Sequence, residues 1–357
     1  ALFLGGIPEW SRANETPAHP EQNSGLTKRQ GKVLLFGIDG ATWQVMRPLI
    51  AEGKLPHFER LVKSGTSASL KTLKPTISPP IWTTIATGVL PDIHGILDFI
   101  VKNPNPSETT LVSSNLRRVN AVWNILSQVG YRVGVVNWWA SFPAEPVNGF
   151  VISDRANYAR KSTYRTVFGL TAPNMVNRTG TETYPVGLYE DILGFVERGT
   201  SLDPALISQI VNLPPALVKE LQAQENFLHR NRLSVLKFAL LQDESAVSSG
   251  LYALNKYHPD FLAFYFSGLD SIEHHFWKYM EPGKFSEPPP QDDITLFGSV
   301  IKNYYRYVDT ALGKFLAAYG QEEVTVIVIS DHGHEADTAH STQAVGYAAF
   351  GSGGHTK

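Results

Sequence analysis

The sequence contains no cysteine. This excludes disulfides, zinc ribbons and cysteine nucleophiles, and it leaves histidine and carboxylate side chains as the donors of any metal site. The net charge is only -2, so the chain has no basic field that could hold a nucleic acid polymer without sequence preference. It also lacks a run of about 18 apolar residues, so we expect no segment that spans a membrane.

The composition is typical of a globular protein with a large core, because 43% of the 357 residues are hydrophobic and 18% are charged. Residues 1–31 form a short apolar start followed by a polar, proline-containing stretch, which predicts a tail ahead of one catalytic domain over residues 32–357. A processed export signal and a partial sequence would each leave such a start. We expect an exported protein, periplasmic or extracellular.

Four apolar runs predict buried strands, at residues 33–38, 131–136, 261–266 and 324–329. Helical patterns lie between them, for example at residues 120–129 and 301–319. This alternation indicates an α/β fold with a mostly parallel central sheet flanked by helices. Residues 155–258 differ, since proline-broken polar segments are followed by helical stretches. They predict a largely helical, cap-like insertion that shapes access of the substrate.

Acidic residues come just after three of these runs. Asp39, Asp270 and Asp331 lie where the chain leaves the sheet. Ligands of open α/β sheets bind outside the carboxyl ends of the strands, so the three carboxylates are expected to converge on one crevice. Asp270 and His274 are spaced about one helical turn apart, and His332 follows Asp331 directly. Each pair alone is more often a turn or surface feature, but their joint occurrence at strand ends favours a hydrolytic metal centre.

The segment from Ser78 to Gly88 predicts a helix. The sequence Ser78-Pro79-Pro80 predicts that Ser78 is the N-cap and that proline fills the first turn. A hydroxyl at this position would lie where the helix dipole and free N–H groups favour an anion. We therefore consider Ser78 a candidate nucleophile.

The order of these motifs resembles the alkaline phosphatase superfamily, and within it the type I phosphodiesterase/nucleotide pyrophosphatase family. The resemblance covers roughly residues 32–350. It is carried by Asp39-Gly40 after a strand, Ser78 with its helix, the segment from Gly88 through His94-Gly95, Asp270-x-x-x-His274, and Asp331-His332-Gly333. The segment from Asn137 to Gly149, followed by Ser153-Asp154-Arg155, also resembles bacterial members.

The resemblance implies an alkaline phosphatase-like fold and two divalent metal ions, Zn²⁺ or alternatively Mn²⁺. One ion would be held by Asp39, Ser78, Asp331 and His332. The other would be held by Asp270, His274 and a third histidine, for which His340 is preferred and His355 is the competitor. Asn137, Trp139 and His334 are expected to contact substrate, and His334 could instead orient a ligand. Family members usually continue beyond the position of Lys357, so a truncated chain is one interpretation of this sequence.

The implied activity is hydrolysis of a small phosphate ester, a nucleotide or a similar compound, through covalent attack by Ser78. Nucleotide pyrophosphatases often have threonine at this position, whereas other members use serine. A phosphomonoesterase and a head-group phosphotransferase on the same fold are alternatives, and a non-catalytic metal-binding protein is another. The sequence decides neither the substrate nor the oligomeric state.

Other hydrolase classes fit less well. A sulfatase would need arginine where Trp82 stands, four residues after Ser78. No Gly-x-Ser-x-Gly elbow of a serine esterase is present, and neither is a P-loop. The segment from His334 to His340 is not the His-Glu-x-x-His pattern of a zincin.

Overall fold

A computed structural model describes residues 31–101, 110–157, 179–197, 202–223 and 232–336. The strands in these ranges are β1 (Lys32–Ile38), β2 (Ile100–Val101), β3 (Thr110–Leu111), β4 (Val133–Val136), β5 (Gly149–Ile152), β6 (Thr183–Tyr184), β7 (Phe261–Phe266) and β8 (Val324–Ile329). Six of them form one sheet in the order β6-β5-β4-β7-β1-β8, and β2 pairs with β3 in a separate ribbon. Neighbours in the large sheet are parallel, except that β5 and β6 are antiparallel.

The sheet is flanked by helices that begin after its strands. They are α1 (Trp43–Ala51), α2 (Pro56–Ser64), α3 (Ser78–Thr87), α4 (Pro91–His94), α5 (Val122–Gln128), α6 (Leu188–Val196), α7 (Pro204–Ile210), α8 (Pro215–Ala223), α9 (Arg232–Tyr257), α10 (Gly268–Met280), α11 (Gln291–Phe297) and α12 (Val300–Ala318). Short 3₁₀ turns occur at Ser114–Leu116 and Pro282–Lys284. Among the described residues, no helix is both long enough and apolar enough to cross a membrane.

Alternate residues of the central strands serve two separate cores, which explains their unbroken apolar runs. Phe36 and Phe264 face the larger core, which contains α9 and α12. Leu35 and Tyr265 face the smaller one, which is rich in tryptophan. In a strand that is covered on both faces, a polar side chain at any position would be buried at a cost in free energy. The polar residues of these segments therefore lie at the strand ends.

The prediction of a mostly parallel α/β sheet is confirmed. Strands β7 and β8 have the predicted bounds, β1 begins one residue earlier, and β4 begins two residues later than expected. Just before β4, the Arg132 carbonyl accepts from the N–H groups of Asp260 and Phe261 at the entry to β7. Residues 1–30 lie outside the described residues, so the predicted tail stays a prediction.

Part of the predicted insertion belongs to the central layers of the fold. Strand β6 is the antiparallel edge of the main sheet, and α9 contributes buried residues such as Leu236 and Leu240 to the larger core. The helical character expected for this region is present in α6, α7, α8 and α9. A role for this region in shaping substrate access stays a prediction.

Candidate metal centre

The central strands bring the predicted acidic residues to one edge of the sheet. In the parallel register, Gly37 of β1 lies opposite Ile329 of β8, and Ile38 lies opposite Phe266 of β7. The three strands therefore end at the same level. Asp39 follows β1 directly, and the backbone N–H of Gly40 donates to Asp331 Oδ1 at 3.3 Å. This register brings the three carboxylates together, as the sequence predicted.

One cluster consists of Asp39, Asp331 and His332, all buried, whose ligand atoms lie within 4.8 Å of one another. His332 Nε2 is 3.4 Å from Asp39 Oδ1 and 3.4 Å from Asp331 Oδ2. The Ser78 hydroxyl donates to the same Asp39 Oδ1 at 3.5 Å. The structure thus brings together all four residues that the sequence assigned to the first ion.

Ser78 occupies a different position in its helix from the one predicted. The N-cap of α3 is Ile77, and Ser78 is the first helical residue. The expectation that Ser78 is the N-cap was wrong by one residue. Pro79 and Pro80 occupy the next two positions and have no N–H, so these two residues offer an anion no backbone donor. The buried Ser78 hydroxyl nevertheless faces Asp39.

A second cluster consists of Asp270, His274 and His334. Asp270 lies in the first turn of α10, and His274 Nε2 lies 3.4 Å from Asp270 Oδ1, one turn further along. His334 Nδ1 is 3.8 Å from the same oxygen. Its ring lies perpendicular to His274, with centroids 4.5 Å apart, and is stacked on Trp277 at 5.4 Å. Three side chains thus fix the ring of His334.

The family resemblance gave His334 as a candidate for substrate contact or for orienting a ligand, whereas in the structure it is the third donor of the second cluster. The signal was its position two residues after His332, since a short loop can return a side chain to the same crevice. His340 and His355 lie outside the described residues. Their role as ligands therefore stays a prediction.

The two clusters adjoin each other, because His332 Nε2 is 3.9 Å from Asp270 Oδ1. Burial raises the pKa of Asp270 well above its usual range, and the negative charge of Asp39 raises it further. Burial and Asp39 raise the pKa of Asp331 in the same way. Carboxylates concentrated in a buried crevice oppose one another's ionisation unless positive charge is supplied.

The donor atoms fit divalent cations. Asp270 Oδ1 and Asp331 Oδ2 are buried and have no hydrogen-bond partner among the described residues, although buried polar atoms in proteins are normally paired. Each cluster offers both oxygen and imidazole nitrogen, a set that suits Zn²⁺ or Mn²⁺. Cations in these positions would satisfy both the orphaned oxygens and the excess negative charge.

Two tyrosines hold buried carboxylates in and beside the clusters, and the sequence predicted neither contact. Tyr265 Oη donates to Asp39 Oδ2 and accepts from Trp139 Nε1 at 2.8 Å. Tyr305 Oη donates to Glu273 Oε1 at 2.9 Å, and Glu273 Oε2 lies 3.7 Å from His334 Nδ1. Burial raises the pKa of Glu273. Tyr265 lies inside an apolar run, whereas Tyr305 and Glu273 lie among other polar residues of helices, so nothing in the sequence marks these contacts.

Asn137 and Trp139 were predicted to bind substrate, and both are buried beside the centre. Asn137 Nδ2 donates to the Tyr265 carbonyl at 3.1 Å, and the indole N–H of Trp139 is engaged by the hydroxyl of the same tyrosine. Both polar groups therefore contribute to the support of β7. Contact with substrate stays a prediction for both.

Several solved structures are similar to this chain. Phosphonoacetate hydrolase from Sinorhizobium meliloti in complex with phosphonoformate has 15% identity and a TM-score of 0.44, with 85% of this chain and 56% of that chain covered. Its complex with phosphonoacetate has 15% identity and a TM-score of 0.45, with 86% and 58% covered. A mutant of alkaline phosphatase PafA has 14% identity and a TM-score of 0.42, with 85% and 63% covered. The chain therefore spans between half and two thirds of the length of each of these structures.

A search of curated proteins gives no match. The sequence profile of type I phosphodiesterase / nucleotide pyrophosphatase matches residues 33–344. The matched range contains Ser78 and every member of the two Asp/His clusters. The chain belongs to the type I phosphodiesterase / nucleotide pyrophosphatase family.

Proposed function

We propose that this chain is a metal-dependent phosphodiesterase of small phosphate esters that uses Ser78 as its covalent nucleophile. The observation that carries the proposal is the hydrogen bond from Ser78 Oγ to Asp39 Oδ1 at 3.5 Å. The same oxygen lies 3.4 Å from His332 Nε2 in a buried Asp/His cluster. A hydroxyl at the edge of such a cluster, in a chain of a phosphodiesterase family, supports the assignment of Ser78 as nucleophile.

Asp39, Ser78, Asp331 and His332 would hold one cation, and Asp270, His274 and His334 would hold the other. Divalent cations bound there would supply the positive charge that lowers the pKa of an attacking hydroxyl and stabilises charge on the oxygens bound to phosphorus. Zn²⁺ fits both donor sets, and Mn²⁺ is the alternative.

The chain itself would orient the reaction. Asp39 Oδ1 accepts the hydrogen bond of the Ser78 hydroxyl and so directs its lone pairs into the crevice. In the first step, Ser78 Oγ forms a bond to phosphorus, the bond from phosphorus to the leaving oxygen breaks, and the proton of the Ser78 hydroxyl passes to the leaving group. In the second step, water attacks phosphorus, the bond from phosphorus to Ser78 Oγ breaks, the hydroxyl of the water stays on phosphorus, and its other proton passes to Ser78 Oγ.

Hydrolysis of bis-p-nitrophenyl phosphate in the presence of Zn²⁺ or Mn²⁺ tests the proposal. We expect turnover by the wild type and a loss of roughly a thousandfold or more in kcat for Ser78→Ala. The matched control is Thr83→Val, which removes a buried hydroxyl of the same helix that donates to the Pro79 carbonyl at 2.7 Å. This variant should retain turnover close to that of the wild type.

Two results would contradict the proposal. One is the absence of turnover with either cation, and the other is undiminished turnover by Ser78→Ala. Parallel assays with p-nitrophenyl phosphate measure the preference between diester and monoester. A faster monoester reaction would assign the chain as a phosphomonoesterase instead.

A further inference from the structure

The helix that carries Asp270 and His274 begins against a carboxylate from another helix. Asp243, in the middle of α9, is fully buried. Its Oδ1 accepts from the backbone N–H of Ser267 at 3.2 Å and of Gly268 at 3.1 Å, and its Oδ2 lies 3.1 Å from the same Gly268 nitrogen. Tyr304 of α12 donates to Oδ2 at 2.6 Å. Asp243 therefore joins α9, α10 and α12 at one point.

This arrangement replaces an ordinary helix cap. The first N–H groups of a helix have no partner within the helix and are usually capped by the side chain of the N-cap residue. Ser267, the N-cap residue of α10, makes no such bond, and its hydroxyl donates to Asp243 Oδ1 at 3.3 Å instead. A carboxylate at this end is also favoured by the helix dipole. The cap of α10 is thus supplied by a tertiary contact.

The backbone of Gly268 approaches this carboxylate as closely as a residue without a side chain permits. A Cβ at position 268 would lie 2.2 Å from Tyr304 Oη and 2.3 Å from Asp243 Oδ2, far inside van der Waals contact. The start of α10 is therefore packed directly against Asp243 of α9 and Tyr304 of α12. The position of its first turn is therefore fixed by Asp243 and Tyr304 together.

We propose that Asp243 is a positioning residue for the cation site formed by Asp270, His274 and His334. It belongs to neither Asp/His cluster, and it acts by fixing the first turn of α10, in which Asp270 lies two residues after Gly268. The proposal rests on the proposed function, because it assigns a role to Asp243 only if this cluster binds a cation. Side chains that orient metal ligands from outside the ligand shell commonly change cation affinity by about 10–100-fold when removed.

The chain offers a matched control in Asp309. This residue is also buried, lies on α12, and accepts from the backbone N–H groups of His57 at 3.3 Å and Phe58 at 2.8 Å, at the start of α2. The two carboxylates make the same kind of contact, but α2 carries no residue of either Asp/His cluster. Asp309→Ala therefore measures what the loss of a tertiary helix cap does to stability alone.

The test compares full-length wild type, Asp243→Ala and Asp309→Ala. Urea unfolding without cations gives stability, competition for Zn²⁺ against a chromophoric chelator gives affinity and stoichiometry, and bis-p-nitrophenyl phosphate gives KM and kcat. We expect both variants to lose stability, and we expect Asp243→Ala alone to weaken one of the two Zn²⁺ sites by about tenfold or more. Asp243→Asn retains an acceptor oxygen and should recover part of that affinity. If Asp243→Ala does not fold, Asp243→Asn is compared with the wild type and Asp309→Ala in its place.

The outcomes separate this inference from the proposed function. If the wild type binds no Zn²⁺ in the competition, the proposed function fails. If the wild type binds Zn²⁺ and the Asp243 variants bind it as tightly as Asp309→Ala does, the positioning role of Asp243 is refuted while the proposed function stands.

Discussion

At the scale of single residues, individual hydroxyl groups determine which carboxylate oxygens are free to serve the centre. Tyr265 Oη engages Asp39 Oδ2, so that Oδ1 is the oxygen that faces Ser78 and His332. Trp139 in turn fixes the Tyr265 hydroxyl at 2.8 Å. This chain of donors sets the orientation of Asp39 before any cation or substrate binds.

Tyr265→Phe should therefore weaken Zn²⁺ binding at the cluster containing Asp39 by about tenfold or more, because Asp39 could then rotate. Chelator competition measures this change directly. The control is Tyr279→Phe, which removes a buried hydroxyl that has no hydrogen-bond partner among the described residues. Equal affinities for the two variants would show that Tyr265 does not orient Asp39.

At the scale of elements, α3 is held against the sheet by an aromatic contact beneath the nucleophile. Trp82 lies four residues after Ser78 and packs edge-on against Tyr265 and Trp138, with ring centroids 4.9 Å and 5.1 Å apart. It also lies over Gly37 of β1, where an added Cβ would be 2.6 Å from the indole ring. The absence of a side chain at Gly37 thus sets how closely α3 approaches the sheet.

Gly37→Ala should push Trp82 and the start of α3 away from β1. We expect a loss of about 1–3 kcal/mol in the free energy of unfolding, as is typical of overpacked cores, together with a lower kcat because Ser78 moves relative to Asp39. Urea unfolding and the diester assay measure the two effects. The control is Gly194→Ala in α6, where an added Cβ meets nothing within 4 Å. A Gly37→Ala protein as stable and as active as this control would exclude the contact as the constraint on α3.

The sequence predicted the four central strands well because each is an apolar run that ends in an acidic or polar residue. It did not predict β5 and β6, which have only four and two residues and show no period. The same limit applies to the centre. Its Asp and His members stand close to strand ends, where polarity is conspicuous. Tyr265 lies inside an apolar run, and Glu273 and Asp243 lie among other polar residues of helices. Only the packing of distant elements shows what their polar atoms contact.

At the scale of the whole molecule, the buried carboxylates oppose folding of the cation-free protein. Asp39, Asp270 and Asp331 are buried close to His332. Bringing them together removes their hydration, and their mutual repulsion is relieved only when positive charge is present. The fold is therefore expected to be weakest when the centre holds no cation.

Zn²⁺ should raise the free energy of unfolding by about 2.7 kcal/mol for each site at a free concentration about 100-fold above its Kd, and EDTA should reverse the effect. In Asp270→Asn, Zn²⁺ should raise the free energy of unfolding by the amount expected for one site instead of two. The same variant should be no less stable than the wild type in EDTA, because it removes one of the opposed charges. Urea unfolding with and without Zn²⁺ checks both expectations. An unfolding curve of the wild type that does not respond to Zn²⁺ would contradict them.

The hydrogen bond from Gly40 to Asp331 joins residues that are 291 positions apart in the chain. Contacts over such distances form late, because the intervening chain must first be ordered, and folds dominated by them assemble slowly. During synthesis, β1 and Asp39 would emerge long before β8 supplies Asp331 and His332. The centre can therefore bind a cation tightly only after the last of these strands has joined the sheet. Cation binding would then stabilise the completed fold and would not nucleate folding.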